Sequence, residues 1–232
     1  MQLQLTVSDS VFLRLAGWAA ILTSLTTIGV HYVTFPGDTF DQRLSLPQNP
    51  WYIAHKWMII VHCFAVIFSM FGIALLKFKD SRGWIGFGFL FYTVFGITEI
   101  TRMFSVLRYM NPLRLEYLTT SDESIRQMLK YSLDHFALAG NTLFAVFAFA
   151  FMIGNFSFGI VLSRSPGSTR WIGYGFLFWG CMSFSGMLNE YLHFGAIDTA
   201  IEINAKVFQP LFRLAIGLWL FRQIPSQARI AR

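Results

Sequence analysis

Six stretches of the chain are almost continuously apolar, over residues 12–33, 53–76, 84–104, 135–162, 171–194 and 206–221. An α-helix rises about 1.5 Å per residue, so roughly 20 apolar residues cross the ~30 Å hydrocarbon layer of a bilayer. Only helices and closed barrels satisfy their backbone groups in lipid, and runs of this length read as helices. The pattern predicts an all-α, polytopic membrane bundle: six transmembrane helices forming one domain over residues 1–232. Composition agrees. Hydrophobic residues make up 55% and charged residues 13%, the latter about half the ~25% usual in soluble domains. Such a chain lacks the polar side chains to cover a water-facing surface, so its first expected partner is the lipid bilayer. Residues 1–10 hold no Lys or Arg, and no small-residue cleavage site follows the first apolar run. That run is expected to be a retained helix rather than a signal peptide.

The connections are of two kinds. Residues 77–83 and 163–170 are short and basic, carrying Lys77, Lys79, Arg82, Arg164 and Arg170. Arg222, Arg229 and Arg232 follow the last apolar stretch. The positive-inside rule puts both short turns and both termini in the cytoplasm of a plasma (inner) membrane. The other connections, 34–52, 105–134 and 195–205, are longer or more acidic. Thr120-Ser-Asp-Glu123 reads as a capping box. It marks either a short surface helix or an early start of the fourth span.

A repeat lies within the middle four stretches. Trp84-Ile-Gly-Phe-Gly-Phe-Leu-Phe-Tyr92 returns as Trp171-Ile-Gly-Tyr-Gly-Phe-Leu-Phe-Trp179, with seven of nine positions identical. The preceding helices align less closely, His55 opposite His135 and Phe64-Ala-Val66 opposite Phe144-Ala-Val146. Residues 55–104 and 135–194 are therefore expected to be duplicated hairpins, forming a central pseudo-twofold four-helix bundle flanked by the first and last spans. Gly86, Gly88, Gly173 and Gly175 would permit close helix approach near the short turns.

The net charge is +6 and the pI about 9.5. In a soluble protein this would favour nucleic acid. Here the basic residues sit in loops and at helix ends, so topology explains them and no nucleic-acid partner is expected. Cys63 and Cys181 both lie inside apolar stretches and suggest neither a disulfide framework nor a zinc motif.

Polar residues inside apolar helices are costly and mark functional positions. They gather in the half of each span away from the short turns: His31, His55 and His62, Glu99 and Arg102, His135 and Asn141, Glu190 and His193, and Arg213. Three chemistries compete for them. Neutral imidazoles on facing helices are what haem b requires, and His55 and His135, with His62 nearby, are candidate cofactor ligands. Glu190-x-x-His193, with Glu99, has the spacing of carboxylate-bundle metal sites. Arg102 stands where a symmetric second site would need histidine, which counts against a pair of metals. The third possibility is an ion-pair network of Arg213, Arg102, Glu99 and Glu190. It would fix helix packing, or, open to the outside, bind an anionic or amphipathic molecule. The sequence assigns no catalytic residue. The leading expectation is a cofactor- or transition-metal-binding, redox-linked membrane subunit. The alternatives are a non-catalytic accessory subunit beside other membrane subunits, or a small-molecule binder or transporter.

The order of elements, with Arg14-Leu-Ala-Gly17 and Gly83-Trp-Ile-Gly-Phe87, resembles a group of uncharacterised bacterial six-helix membrane proteins, a domain of unknown function. The resemblance implies the six-helix arrangement and no activity.

Overall fold

The structure, a computed structural model, describes residues 7–224. The C-terminal Arg229 and Arg232, and both chain ends on which the expected orientation leaned, lie outside the described residues. Among the described residues the regular structure is entirely helical: α1 (Val7–Tyr32), α2 (Phe40–Ser45), α3 (Pro50–Lys77), α4 (Arg82–Ser105), α5 (Asn111–Thr119), α6 (Glu123–Ser163), α7 (Ser168–Leu192), α8 (Gly195–Ile203) and α9 (Gln209–Arg222). Four helical segments are long and apolar enough to cross a membrane: Asp9–Tyr32, Pro50–Lys77, Arg82–Thr119 and Glu123–Ser163. Their outward surfaces carry exposed Trp18, Leu25, Phe64, Leu90, Ile97 and Leu138, which fits a protein solvated by lipid.

Two joints are continuous where the sequence predicts loops. A π-helical turn over Val106–Met110 carries α4 into α5, and another over Asn204–Phe208 carries α8 into α9. Each precedes a proline, Pro112 or Pro210. Proline cannot donate to the carbonyl four residues back, and widening the turn absorbs the mismatch without ending the helix. The start of α6 is the early one. Asp122 is its cap, accepting from the backbone N–H groups of Ser124 at 2.9 Å and Ile125 at 3.3 Å. The Oγ1 of Thr120, the expected cap, accepts from the N–H of Asp122 at 3.4 Å and does not cap the helix.

The long helices follow one another around a ring. α1 packs on α3, α3 on α4, α4 on α6 and α6 on α7; α9 then returns to α1 and touches α7. Among the described residues α1 and α9 thus stand between α3 and α7. The two short basic turns meet at one end of the ring, where Lys77 Nζ donates to Asp80 at 2.9 Å and to Ser165 Oγ at 3.5 Å. That end is dry and tightly packed, around Leu13, Ile73, Ile85, Phe158, Phe176 and Leu220. Several polar groups in and around this core are paired. Tyr92 Oη donates to Asn155 Oδ1 at 2.6 Å, and Asn155 Nδ2 donates to the Phe151 carbonyl at 2.8 Å. Trp219 Nε1 donates to Thr169 Oγ1 at 3.2 Å.

Small residues set the helix spacing at this end. A Cβ on Gly173 would overlap the backbone nitrogen of Ser163 and stand 2.5 Å from the carbonyl carbon of Leu162. A Cβ on Gly88 would fall 2.8 Å from Phe158 and 2.9 Å from Ser157. Gly86 differs from this expectation, since the nearest atom to its Cβ, on Phe78, would be 3.7 Å away in ordinary contact. Gly173→Ala is therefore expected to lose about 1–3 kcal/mol, because backbone cannot yield to the added atom. Gly86→Ala should hold or raise the unfolding midpoint, since alanine is the better helix former. Thermal unfolding of the two variants in detergent checks this; equal midpoints would refute the packing argument.

Candidate functional site

At the end of the ring away from the short turns the helices part around a cavity of about 410 Å³. Space exists there because several lining positions are small: Ala148 on α6, Ser183 and Gly186 on α7, and Ala205 in the second π turn. The walls are mainly apolar, with Phe95, Phe144, Phe147, Phe151, Ile59 and Met182. Every long helix contributes. The second π turn matters to the geometry, since it keeps Asn204 and Ala205 on the chamber face together with Gln209 and Arg213.

The charged groups divide into a satisfied pair and a lone cation. Arg102 Nε donates to Glu99 Oε2 at 2.7 Å and its Nη2 to Glu99 Oε1 at 2.6 Å. The i,i+3 spacing on α4 places both on one face, and the two parallel bonds make a planar, charge-assisted match. Glu99 is 5% exposed and withdrawn from water, whereas the Arg102 side chain stays 30% exposed. Arg213, on α9, is 3% exposed. Its guanidinium carbon lies 4.9 Å from the ring centroid of Trp179. Among the described residues its Nε and Nη1 have no hydrogen-bond partner. Neither Glu99 nor Glu190 forms an ion pair with it. Glu190 lines the chamber but is exposed. His62, 9% exposed, is held by a 2.7 Å hydrogen bond between its Nδ1 and Thr26 Oγ1.

Of the residues singled out in the sequence, His62, Glu99, Arg102, Glu190 and Arg213 line this one chamber. The others do not. His55 is half-buried on α3, edge-on to Phe35 with centroids 5.4 Å apart. His135 and Asn141 are exposed on α6. The two histidines aligned by the repeat are therefore not gathered at the chamber as a haem would need. His193 falls beyond α7, which ends at Leu192. It adopts a left-handed backbone with φ 54°. The turn is fixed by Asn189, whose Oδ1 accepts from the N–H of Phe194 at 2.7 Å and whose Nδ2 donates to Asp198 at 2.5 Å. The i,i+3 relation of Glu190 and His193 requires helical backbone at both, so the spacing does not put them on a common face. Among the described residues no three His, Cys, Asp or Glu side chains are grouped to hold a metal ion.

Three site residues escaped the sequence: Thr26 behind His62, Asn204 in the π turn, and Trp179 beneath Arg213. A signal for Trp179 was present. It is one of the two positions where the nine-residue repeat differs, and its counterpart Tyr92 has a different polar partner, Asn155.

Removing one partner of a buried ion pair leaves an uncompensated charge, whereas removing both is far milder. Arg102→Gln is expected to cost about 3 kcal/mol by that principle, and Glu99→Gln/Arg102→Gln less than half as much. Unfolding of the two single variants and the double variant in detergent checks this; additive losses would mean the pair is not coupled. Comparison of the chain with family models, with curated proteins and with solved structures returns no match.

Proposed function

We propose that the chain crosses the bilayer six times and binds a small molecule with an apolar body in its chamber. The chamber itself carries this reading. Its volume of about 410 Å³ falls in the range of roughly 300–1,000 Å³ typical of small-molecule sites. Its apolar walls with a few convergent polar groups have the composition of such sites. The metal alternative lacks a grouped ligand set among the described residues, and the histidines offered for haem lie off the chamber.

The two further spans are α7 and α9. α7 exposes Trp171, Phe178 and Phe184, and α9 exposes Leu211 and Leu218, in the manner of the other long helices. The many Trp, Tyr and Gly residues of α7 rank low on hydropathy scales although they are frequent in membrane helices and at membrane interfaces. Lys77, Lys79, Arg82, Arg164 and Arg170 at the turns assign that end to the cytoplasm, and the chamber then opens outward. The pairing of the two turns through Lys77 and Ser165 supports an origin of α3–α4 and α6–α7 by duplication.

Cys181 is exposed on α7 and Cys63 is buried. In Cys63→Ala protein reconstituted into liposomes, Cys181 should resist a charged maleimide and react once the protein is denatured. Rapid labelling of the intact proteoliposome would take α7 out of the bilayer. For the chamber, decanol carrying a diazirine should label Met182, Met187 and Phe147 in phosphatidylcholine nanodiscs. The labelling should be saturable, and Ala148→Trp should abolish it by filling the space. Unsaturable labelling of outward-facing residues in both proteins would sink the binding proposal.

A further inference from the structure

We infer that the chamber's ligand is an anionic amphiphile whose negatively charged head sits on Arg213 while its apolar tail lies against the phenylalanine wall. The inference rests on the chamber being a small-molecule site and specifies the ligand's chemistry.

The guanidinium of Arg213 is buried, and burial strips it of the water that would stabilise its charge. A buried cation withdrawn from water calls for an anion or for acceptors of its hydrogens. Trp179 supplies one part of this, because the ring face attracts a cation. A contact above a ring does not engage N–H hydrogens, which lie in the plane of the guanidinium. Nε and Nη1 stay unpartnered among the described residues. Nε and Nη1 donate on different sides of the guanidinium, so they are two separate unmet donors for the oxygens of a carboxylate or phosphate rather than one bidentate edge. Arg102, also on the chamber lining, has its carboxylate partner, donating from Nε and Nη2 to Glu99.

The protein's own acids do not fill this role. Glu99 is bound through both its oxygens by Arg102. Glu190 is exposed, where water and salt screen it. Around Arg213 the chamber surface adds Gln209, one turn earlier on the same helix, and the histidines His31 and His62. Those groups can donate to an anion, and a second cation would meet Arg213 as a like charge. The wall formed by Phe95, Phe147 and Phe151 is apolar and suits a tail rather than a polar body. A charged head and an apolar tail satisfy both regions together.

The test uses full-length protein in phosphatidylcholine nanodiscs and measures competition against the uncharged diazirine-decanol probe. Decanoate should compete at a concentration at least tenfold below decanol, and decylamine should be no better than decanol. In Arg213→Gln the ratio of decanoate to decanol competition should fall from at least tenfold to about one. Arg213→Met serves in the same way where the glutamine variant does not fold, and the ranking in the unaltered protein decides the matter if neither folds. Phosphatidic acid added to the disc separates the sources. If it competes as well as decanoate, the anion is a lipid headgroup; if only decanoate competes, it is a free amphiphile. Equal competition by decanoate and decanol overturns the inference while leaving the chamber as a binding site. Absence of saturable labelling overturns the binding proposal on which it stands.

Discussion

The outward faces of the long helices are apolar, so polar side chains on those helices have to be met inside the ring. This constraint organises the rest. At the end with the short turns the described helices pack closely, and buried polar groups there bond across helices, as Tyr92 does to Asn155 at 2.6 Å. At the other end the helices part, and the costly groups collect around the opening. Withdrawing a charge from water costs several kcal/mol even after relaxation. Glu99 and Arg102 offset that cost between themselves, through two bonds on one helix. Arg213 rests on the face of Trp179, and among the described residues its Nε and Nη1 have no hydrogen-bond partner. The polar half therefore contains a closed electrostatic unit and an open one, and the open one has chemical capacity to spare.

The difference between the ends follows from side-chain size. Gly88, Gly173 and Gly175 let helices touch where an added Cβ would collide, and Gly175 does so against the ring of Phe212. Phe212 also packs edge-on to Trp179, with centroids 5.1 Å apart. The tightly packed half thus reaches up to the ring beneath Arg213. Substitutions that disturb the glycine contacts should be felt at the guanidinium through this aromatic stack, since close-packed interiors transmit strain.

Helix type and the two-sided polarity of the chain were legible in the sequence because both depend on local composition. The four spans long and apolar enough to cross a membrane correspond to the first four apolar stretches. Gathering of His62, Glu99, Arg102, Glu190 and Arg213 was legible too, because depth along a helix follows from the fixed rise per residue. What failed was rotation about the helix axis and the exact helix ends. His55 and His135 lie at the right end, but an apolar helix with residues of similar character all round does not announce which face turns inward. His193 was read as helical when the bonds of Asn189 to Phe194 and Asp198 had already ended the helix. The sequence reads residues 105–134 and 195–205 as connections, whereas α5, the start of α6 and α8 are helical there and the two π turns carry α4 into α5 and α8 into α9.

The proposed duplication bears on where a ligand can sit. A ligand on the pseudo-twofold axis would draw equivalent residues from both copies, which is why His55 and His135 drew notice. The chamber instead takes its lone cation from α9, which lies outside the repeat. It is supported by Trp179, at a position where the copies diverge. In the first copy Tyr92 is fully buried and spends its hydroxyl on Asn155. In the second, Trp179 is equally buried but turns an aromatic face to Arg213. If two hairpins began alike, the site arose by breaking their symmetry. On the proposed duplication, α1 and α9 stand outside the repeat, between α3 and α7, and the Trp at position 179 gives Arg213 of α9 a surface to rest on. On the proposed reading, the binding chemistry belongs to the asymmetric elements and the duplicated hairpins supply the frame that holds them apart.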